Sequence, residues 1–290
     1  MKTQITGHTT LTALLGSPVA HSISPMMHNT AFSMLGLDYA YLAFDVSPEK
    51  LKEVVAALKI MNCRGFNCTM PHKNLVCECV DQLSDAASLI GAVNTVVNDN
   101  GILTGHNTDG VGYMQSIQTE GYDIIGKKMT LLGTGGAATA IIAQAALDGV
   151  KEISIFNRRG NSFEKAKTLI DRINKKTSCK VALYDLADTS TLKKEIQESA
   201  ILTNCTSVGM APNTDACLIP DQSYFHENLL VSDIIYNPET TKLMKLAQEA
   251  GCRTCNGLYM LLYQGAEAFR IWTGKEMPIA PIKKQFFDRE

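Results

Sequence analysis

Leu131-Leu132-Gly133-Thr134-Gly135-Gly136-Ala137-Ala138 is the stretch on which the fold turns. Its glycines directly follow an apolar run and precede residues 137–147, a segment rich in helix-forming alanine and leucine. Glycine lets a backbone turn tightly and approach a pyrophosphate, and the N–H groups that open a helix point at an anion. Gly133, Thr134, Gly135, Gly136 and Ala137 are therefore candidate dinucleotide contacts, with Ala138 where a third small residue belongs. A tight strand-to-helix turn would explain the glycines by themselves, so the flanking elements decide between the two.

Working outward, short apolar runs at 129–132, 153–156, 181–184, 201–204, 229–234 and 253–255 read as buried strands, with helical or polar segments between them. That alternation predicts right-handed crossovers and a Rossmann-type, doubly wound parallel sheet beginning near 109–127. At the end of its second strand an NAD-binding sheet usually offers Asp or Glu to the ribose, but here the chain reads Asn157-Arg158-Arg159-Gly160. Guanidinium groups at that place suit a 2′-phosphate, or stack on adenine and leave the phosphate optional. NAD or NADP is thus the expected cofactor, with the preference open.

Before residue 109 the pattern is also α/β. An apolar run at 11–15 ends at Gly16 and Pro18, and after Ser24-Pro25 a helix is expected with Met27, Ala31, Met34 and Leu35 on one face. Residues 39–46 are β-prone, and Ser47-Pro48-Glu49 supplies an expected N-cap for a helix carrying Leu51, Val54, Val55 and Leu58. A strand at 64–68 follows. Residues 92–97 and 102–104 flank Asn100-Gly101, whose tolerance of positive φ predicts a hairpin. The expected organisation is an α/β substrate-binding and catalytic domain over 1–108, a dinucleotide-binding domain over 109–257, and a helical segment over 258–290 that packs back on the first. The active site is expected in the cleft between the domains.

The composition excludes several classes of function. With 290 residues, 45% hydrophobic and 19% charged, the chain can bury a sizeable core and is not disordered as a whole. A net charge of −2 gives no general pull toward nucleic acid or anionic lipid. No stretch reads as a membrane span, and the N-terminus lacks a basic segment followed by an apolar core, so a cytoplasmic location is expected. Nine cysteines, an odd number, argue for reduced thiols rather than a disulfide framework. Cys252-Arg253-Thr254-Cys255 has CxxC spacing, but no second such pair accompanies it, and buried apolar cysteine is the plainer reading. The histidines form no ligand pattern, so no metal is expected.

Four further segments are unusually polar for places where strands end: Ser22-Ile23-Ser24-Pro25, the run from Asn67 to Lys73, Gly91-Ala92-Val93-Asn94-Thr95, and Asn107-Thr108-Asp109-Gly110. Together they offer hydroxyls, amides, an ammonium and a carboxylate, which suits a small polyhydroxylated acid. In order and spacing these segments and the glycine loop resemble the shikimate dehydrogenase family. The likeness continues through Asn204 to Met210, Ile235-Tyr236-Asn237-Pro238 and Asn256-Gly257-Leu258-Tyr259, and on to Gln264-Gly265-Ala266. Asn157-Arg158-Arg159 and Trp272-Thr273-Gly274 look closer to the quinate/shikimate dehydrogenase branch.

The resemblance implies reversible oxidation of the C3 hydroxyl of shikimate to 3-dehydroshikimate, with Lys73 and Asp109 as the catalytic pair. Alcohol oxidation must lose a proton as hydride leaves, and a lysine held by a carboxylate can relay it. By the same likeness Ser22 and Ser24 donate to the substrate carboxylate with Tyr236 as a third, and Thr69, Asn94, Asp109 and Gln264 meet the ring hydroxyls. Asn157, Arg158 and Arg159 hold the dinucleotide with the glycine loop, while Ile234 and Gly257 line its nicotinamide end. An acid commonly found at position 160 in the NAD-accepting branch is Gly160 here. The expected partner is a small molecule, shikimate with quinate as the alternative acid, bound by a monomer or homodimer, with no nucleic acid and no membrane. A non-catalytic sensor of a cyclic acid or dinucleotide would use the same pocket, but has no need of a proton relay. A folate dehydrogenase is disfavoured by the Ser22/Ser24 loop.

Overall fold

A computed structural model describes residues 4–288. The chain divides into two compact units, one running to Thr108 and resuming at Leu262, the other spanning Asp109–Leu261.

In the first unit the elements are β1 (Thr10–Gly16), α1 (Ser24–Met34), β2 (Tyr39–Asp45), α2 (Leu51–Ile60), β3 (Gly65–Cys68), β4 (Gln82–Leu83), α3 (Asp85–Ile90), β5 (Thr95–Asp99) and β6 (Ile102–His106). They form a mixed six-stranded sheet in the order β2-β1-β3-β5-β6-β4. β1 pairs in parallel with β2 and β3, whereas β5 runs antiparallel to β3 and β6. One core cluster includes Ala13, Leu15, Leu51, Val55, Phe66, Val96 and Leu103. A fully buried side chain of this kind contributes about 1.5–3 kcal/mol. Because β5 is reversed, its start lies beside the end of β3, and Cys68 N donates to Asn94 O at 2.9 Å. The polar loops that follow β1, β3 and β6 and precede β5 therefore gather at one edge of the sheet.

The second unit runs α4 (Asp109–Thr119), β7 (Lys128–Leu132), α5 (Gly136–Asp148), β8 (Glu152–Asn157), α6 (Asn161–Lys176), β9 (Lys180–Asp185), α7 (Thr189–Gln197), β10 (Ile201–Asn204), β11 (Leu230–Asp233), α8 (Lys242–Glu249) and β12 (Arg253–Cys255). Its strands order as β12-β11-β10-β7-β8-β9, with every pair parallel. That order reverses direction at β7, where a doubly wound sheet opens its ligand crevice. The fold class is α/β with the Rossmann-type sheet that the strand–helix rhythm predicts.

α9 (Leu258–Thr273) begins in the second unit and ends in the first, and α10 (Ile279–Phe286) follows. Its C-terminal half is anchored to the first sheet by Trp272, which is 1% exposed and donates its indole N–H to Val96 O at 2.9 Å. Arg64 Nε closes the same anchor on Trp272 O at 2.8 Å.

Three local expectations are corrected. α1 buries Met27, His28, Ala31 and Phe32, while Met34 and Leu35 are exposed, because α1 turns an aromatic stripe rather than a purely aliphatic one to the core. Ser47 makes no capping hydrogen bond to the backbone, since a 3₁₀ turn over Pro48–Lys50 precedes α2. The division near the C-terminal segment falls at Leu261/Leu262 rather than at 257/258, because a continuous helix crosses it.

Candidate active site

The Ser22/Ser24 loop leaves β1 through Gly16. A Cβ there would overlap Thr69 Cγ2 and stand 2.9 Å from Val19 Cγ1, so glycine is what lets this loop approach the loop after β3. Ser17 N donates to Met70 O at 3.1 Å across that approach. Ser22 Oγ accepts from Ser24 N at 3.2 Å, and Ser24 opens α1 with Pro25 behind it. Thr69 is held by its own N–H on Leu15 O at 2.9 Å.

Lys73 sits on a turn pinned from both sides. His72 is fully buried with Nε2 2.8 Å from Val46 O, and Lys73 O accepts from Val93 N at 2.7 Å. Asn74 Nδ2 reaches Gly91 O at 2.8 Å. The lysine and Gly91–Asn94 loops thus form one assembly. Asn94, 3% exposed, accepts from Thr108 N at 2.8 Å through Oδ1 and donates Nδ2 to Thr108 Oγ1 at 3.0 Å. Thr108 is the residue immediately before Asp109, which opens α4 in the second unit.

Gln264 lies on α9 in the first unit, and Gly265 beside it leaves room for Met27 of α1, whose Cε a Cβ would overlap. Ser22, Ser24, Thr69, Lys73 and Asn94 are therefore brought to one sheet edge, while Gln264 is carried on a helix packed against α1.

Two residues that the motifs left without a role organise this edge. Tyr41, fully buried, donates its hydroxyl to Asn67 Oδ1 at 2.7 Å, with Ser24 as a further polar neighbour. Burial pushes that phenol well above its ordinary value, so it stays a neutral donor. Asn67 Nδ2 in turn donates to Thr95 Oγ1 at 2.9 Å and Asn94 O at 3.1 Å. His28 stacks on Tyr41 with ring centroids 4.6 Å apart, and burial lowers it to about 3, so the ring is neutral. Asn67 and His28-Asn29 fall inside segments that carry the family likeness, but Tyr41 carries no local signal; only the tertiary stack joins it to His28.

In the second unit, Gly133 has φ +102°, and a Cβ there would stand 2.8 Å from Thr206 Cγ2. Gly135 and Gly136 face open space, and no side chain caps the first turn of α5. Open glycine backbone ahead of an uncapped helix start fits a dinucleotide pyrophosphate. Thr134 and Ala137 flank it, half-buried. Asn157 Nδ2 donates to Ser162 Oγ at 3.1 Å, Arg159 pairs with Asp185, and Arg158 is exposed. Ile234 and Gly257 meet, since a Cβ on Gly257 would overlap Ile234 O and Gly257 N donates to Ile235 O at 3.2 Å. Asp233 below them is fully buried; burial raises it against hydrogen bonds from Ile235 N, Thr241 Oγ1 and Asn204 Nδ2. Tyr236, 45% exposed, belongs to this unit, and Ser22 and Ser24 to the first.

Among the described residues no group of His, Cys, Asp and Glu could hold a metal ion, and none of the helices is long and apolar enough to cross a membrane. All nine cysteines are free thiols. Burial pushes Cys255 of the CxxC pair up to about 11, the reverse of a reactive redox thiol.

A doubly wound sheet with an open glycine loop, on a chain whose other unit gathers hydroxyls, amides and a lysine at one sheet edge, defines a two-domain dinucleotide-binding α/β protein. Residues 14–96 match the shikimate dehydrogenase substrate binding domain, and residues 257–285 match the shikimate 5′-dehydrogenase C-terminal domain. The shikimate dehydrogenase (NADP(+)) of Listeria monocytogenes serotype 4b is 55% identical over 284 residues, which cover 98% of each chain. The protein belongs to the shikimate dehydrogenase family. A quinate/shikimate dehydrogenase of Escherichia coli O139:H28 is 46% identical, with 97% of each chain covered. The crystal structure of the Listeria monocytogenes shikimate 5-dehydrogenase in complex with shikimate and NAD superposes with a TM-score of 0.95, at 55% identity and 97% coverage of both chains.

Proposed function

We propose that this protein is an NAD(P)-dependent shikimate dehydrogenase, interconverting shikimate and 3-dehydroshikimate. It thereby serves the route to chorismate and the aromatic amino acids. The observation that carries the reading is the gathering of the serine, threonine, lysine and asparagine loops at one edge of the first sheet, in a chain 55% identical to a shikimate dehydrogenase.

In this reading Ser22 and Ser24 donate hydroxyl hydrogens to the substrate carboxylate, with Tyr236 as a further donor, and the Tyr41 hydroxyl holds the serine end of the site. Thr69, Asn94 and Gln264 orient the ring hydroxyls. Lys73 Nζ takes the proton of the C3 hydroxyl as the C3–H bond breaks and the carbonyl forms, and Asp109 holds the ammonium that results. When bound, the nicotinamide supplies the acceptor for the hydride that leaves C3. Gly133, Thr134, Gly135, Gly136 and Ala137 bind its pyrophosphate, Asn157, Arg158 and Arg159 its adenosine end, and Ile234 and Gly257 its nicotinamide end. Quinate, which offers the same carboxylate and ring hydroxyls, is a second substrate on this reading. The enzyme acts in the cytoplasm, as a monomer or homodimer.

The test is the absorbance of reduced nicotinamide in mixtures of the protein with shikimate or quinate and NAD or NADP. Turnover of shikimate with at least one dinucleotide is expected; none with either overturns the reading.

A further inference from the structure

In a doubly wound sheet the ribose is read at the end of the second strand of the nucleotide-binding half, some 20 residues past the glycine loop: a carboxylate there selects NAD and a guanidinium accommodates the 2′-phosphate of NADP. That place is the end of β8, and its sequence, Asn157-Arg158-Arg159-Gly160, holds no acid. The neighbouring strand supplies one. Asp185 ends β9 as the register partner of Asn157, and Leu186 N donates to Asn157 O at 3.0 Å.

Both oxygens of Asp185 are in use. Oδ1 accepts from Ala187 N at 3.0 Å, which fixes the carboxylate, and Oδ2 accepts from Arg159 Nε at 2.8 Å. The Arg159 guanidinium also lies over the Phe163 ring, 4.6 Å from its centroid. One edge and one face of this guanidinium are therefore committed within the protein, and its charge is neutralised by a unit carboxylate. Arg158 makes no ion pair among the described residues.

We infer that Asp185 is the specificity-determining residue for the dinucleotide: through Arg159 it supplies from β9 the negative charge missing at the end of β8, and so keeps NAD competitive with NADP. It touches the cofactor only by way of Arg159, which makes it a positioning and charge-setting residue. A 2′-phosphate gains from both guanidiniums but is opposed by the Asp185 charge behind one of them, while the 2′-hydroxyl of NAD loses nothing from that charge. The inference rests on the dehydrogenase reading above for the place of the dinucleotide.

The test compares wild type, Asp185→Asn, Arg159→Ala and the double variant. Dissociation constants for NADH and NADPH are measured by fluorescence, alongside kcat/KM for NAD and NADP with shikimate. Asp185→Asn removes the charge and leaves a single acceptor oxygen for the two donors, Arg159 Nε and Ala187 N, that the carboxylate serves. It is expected to raise the preference for the 2′-phosphorylated dinucleotide about tenfold or more, and to do so only while Arg159 is present. An unchanged ratio, or an equal shift in the Arg159→Ala background, overturns the inference. A merely structural role would weaken both dinucleotides alike and leave the ratio where it was. Absence of turnover in the wild type would count against the dehydrogenase reading, whereas the binding ratio judges Asp185 by itself.

Discussion

The Tyr41 hydroxyl donates to Asn67 Oδ1 at 2.7 Å, and the two side chains, 0% and 7% exposed, tie the edge strand β2 to the strand that leads into Lys73. Tyr41→Phe would leave a buried amide oxygen without its donor, at a cost of about 1–3 kcal/mol. We expect a fall of several degrees in Tm in thermal denaturation, together with a raised KM for shikimate at nearly constant KM for the dinucleotide. Equal changes in both constants would separate Tyr41 from the substrate loops.

His28, stacked on the same tyrosine, gives the first unit a dependence on acid. Its folded value, about 3, lies below the ordinary 6.5, so between those limits the unfolded chain binds the extra proton. Stability is therefore intact above pH 6.5 and falls as the pH drops, by about 1.4 kcal/mol per unit from this group. Urea denaturation at pH 7, 6 and 5 should show a shallower decline for His28→Phe than for wild type. Parallel curves would mean that the histidine finds a partner for its proton.

The two central glycines of the nucleotide loop should respond in opposite ways. Gly133→Ala places a Cβ 2.8 Å from Thr206 Cγ2 at φ +102°, and is expected to cost about 1–3 kcal/mol. Gly135 faces open space, so Gly135→Val should leave Tm nearly unchanged while raising the KM for the dinucleotide tenfold or more, as judged by melting curves and kinetics side by side. Normal dinucleotide binding by a folded Gly135→Val would move the pyrophosphate elsewhere.

Much of this was legible in the sequence where the signal is local. The parallel sheet of the second unit follows from repeated apolar runs. The hairpin follows from Asn100 and Gly101, which take φ 54° and 90° between β5 and β6. Helix α3 was not, although Ser84 caps it and Gly91 ends it, because six residues are too few to display a period. Nor could a period reveal that β5 pairs antiparallel with β3, since that register is settled by a partner far along the chain. The same limit governs the site. Lys73 and Asn94 sit in recognisable loops, but Tyr41, His28 and Asp185 matter through neighbours that only the folded chain supplies.

The most direct measurement is the rate of shikimate oxidation by Lys73→Ala, on protein whose Tm matches wild type and whose shikimate binding is followed by calorimetry. A kcat lowered by about 10²-fold or more with binding of the acid retained is the predicted result. Wild-type kcat in that variant would contradict the assignment of the proton to Lys73.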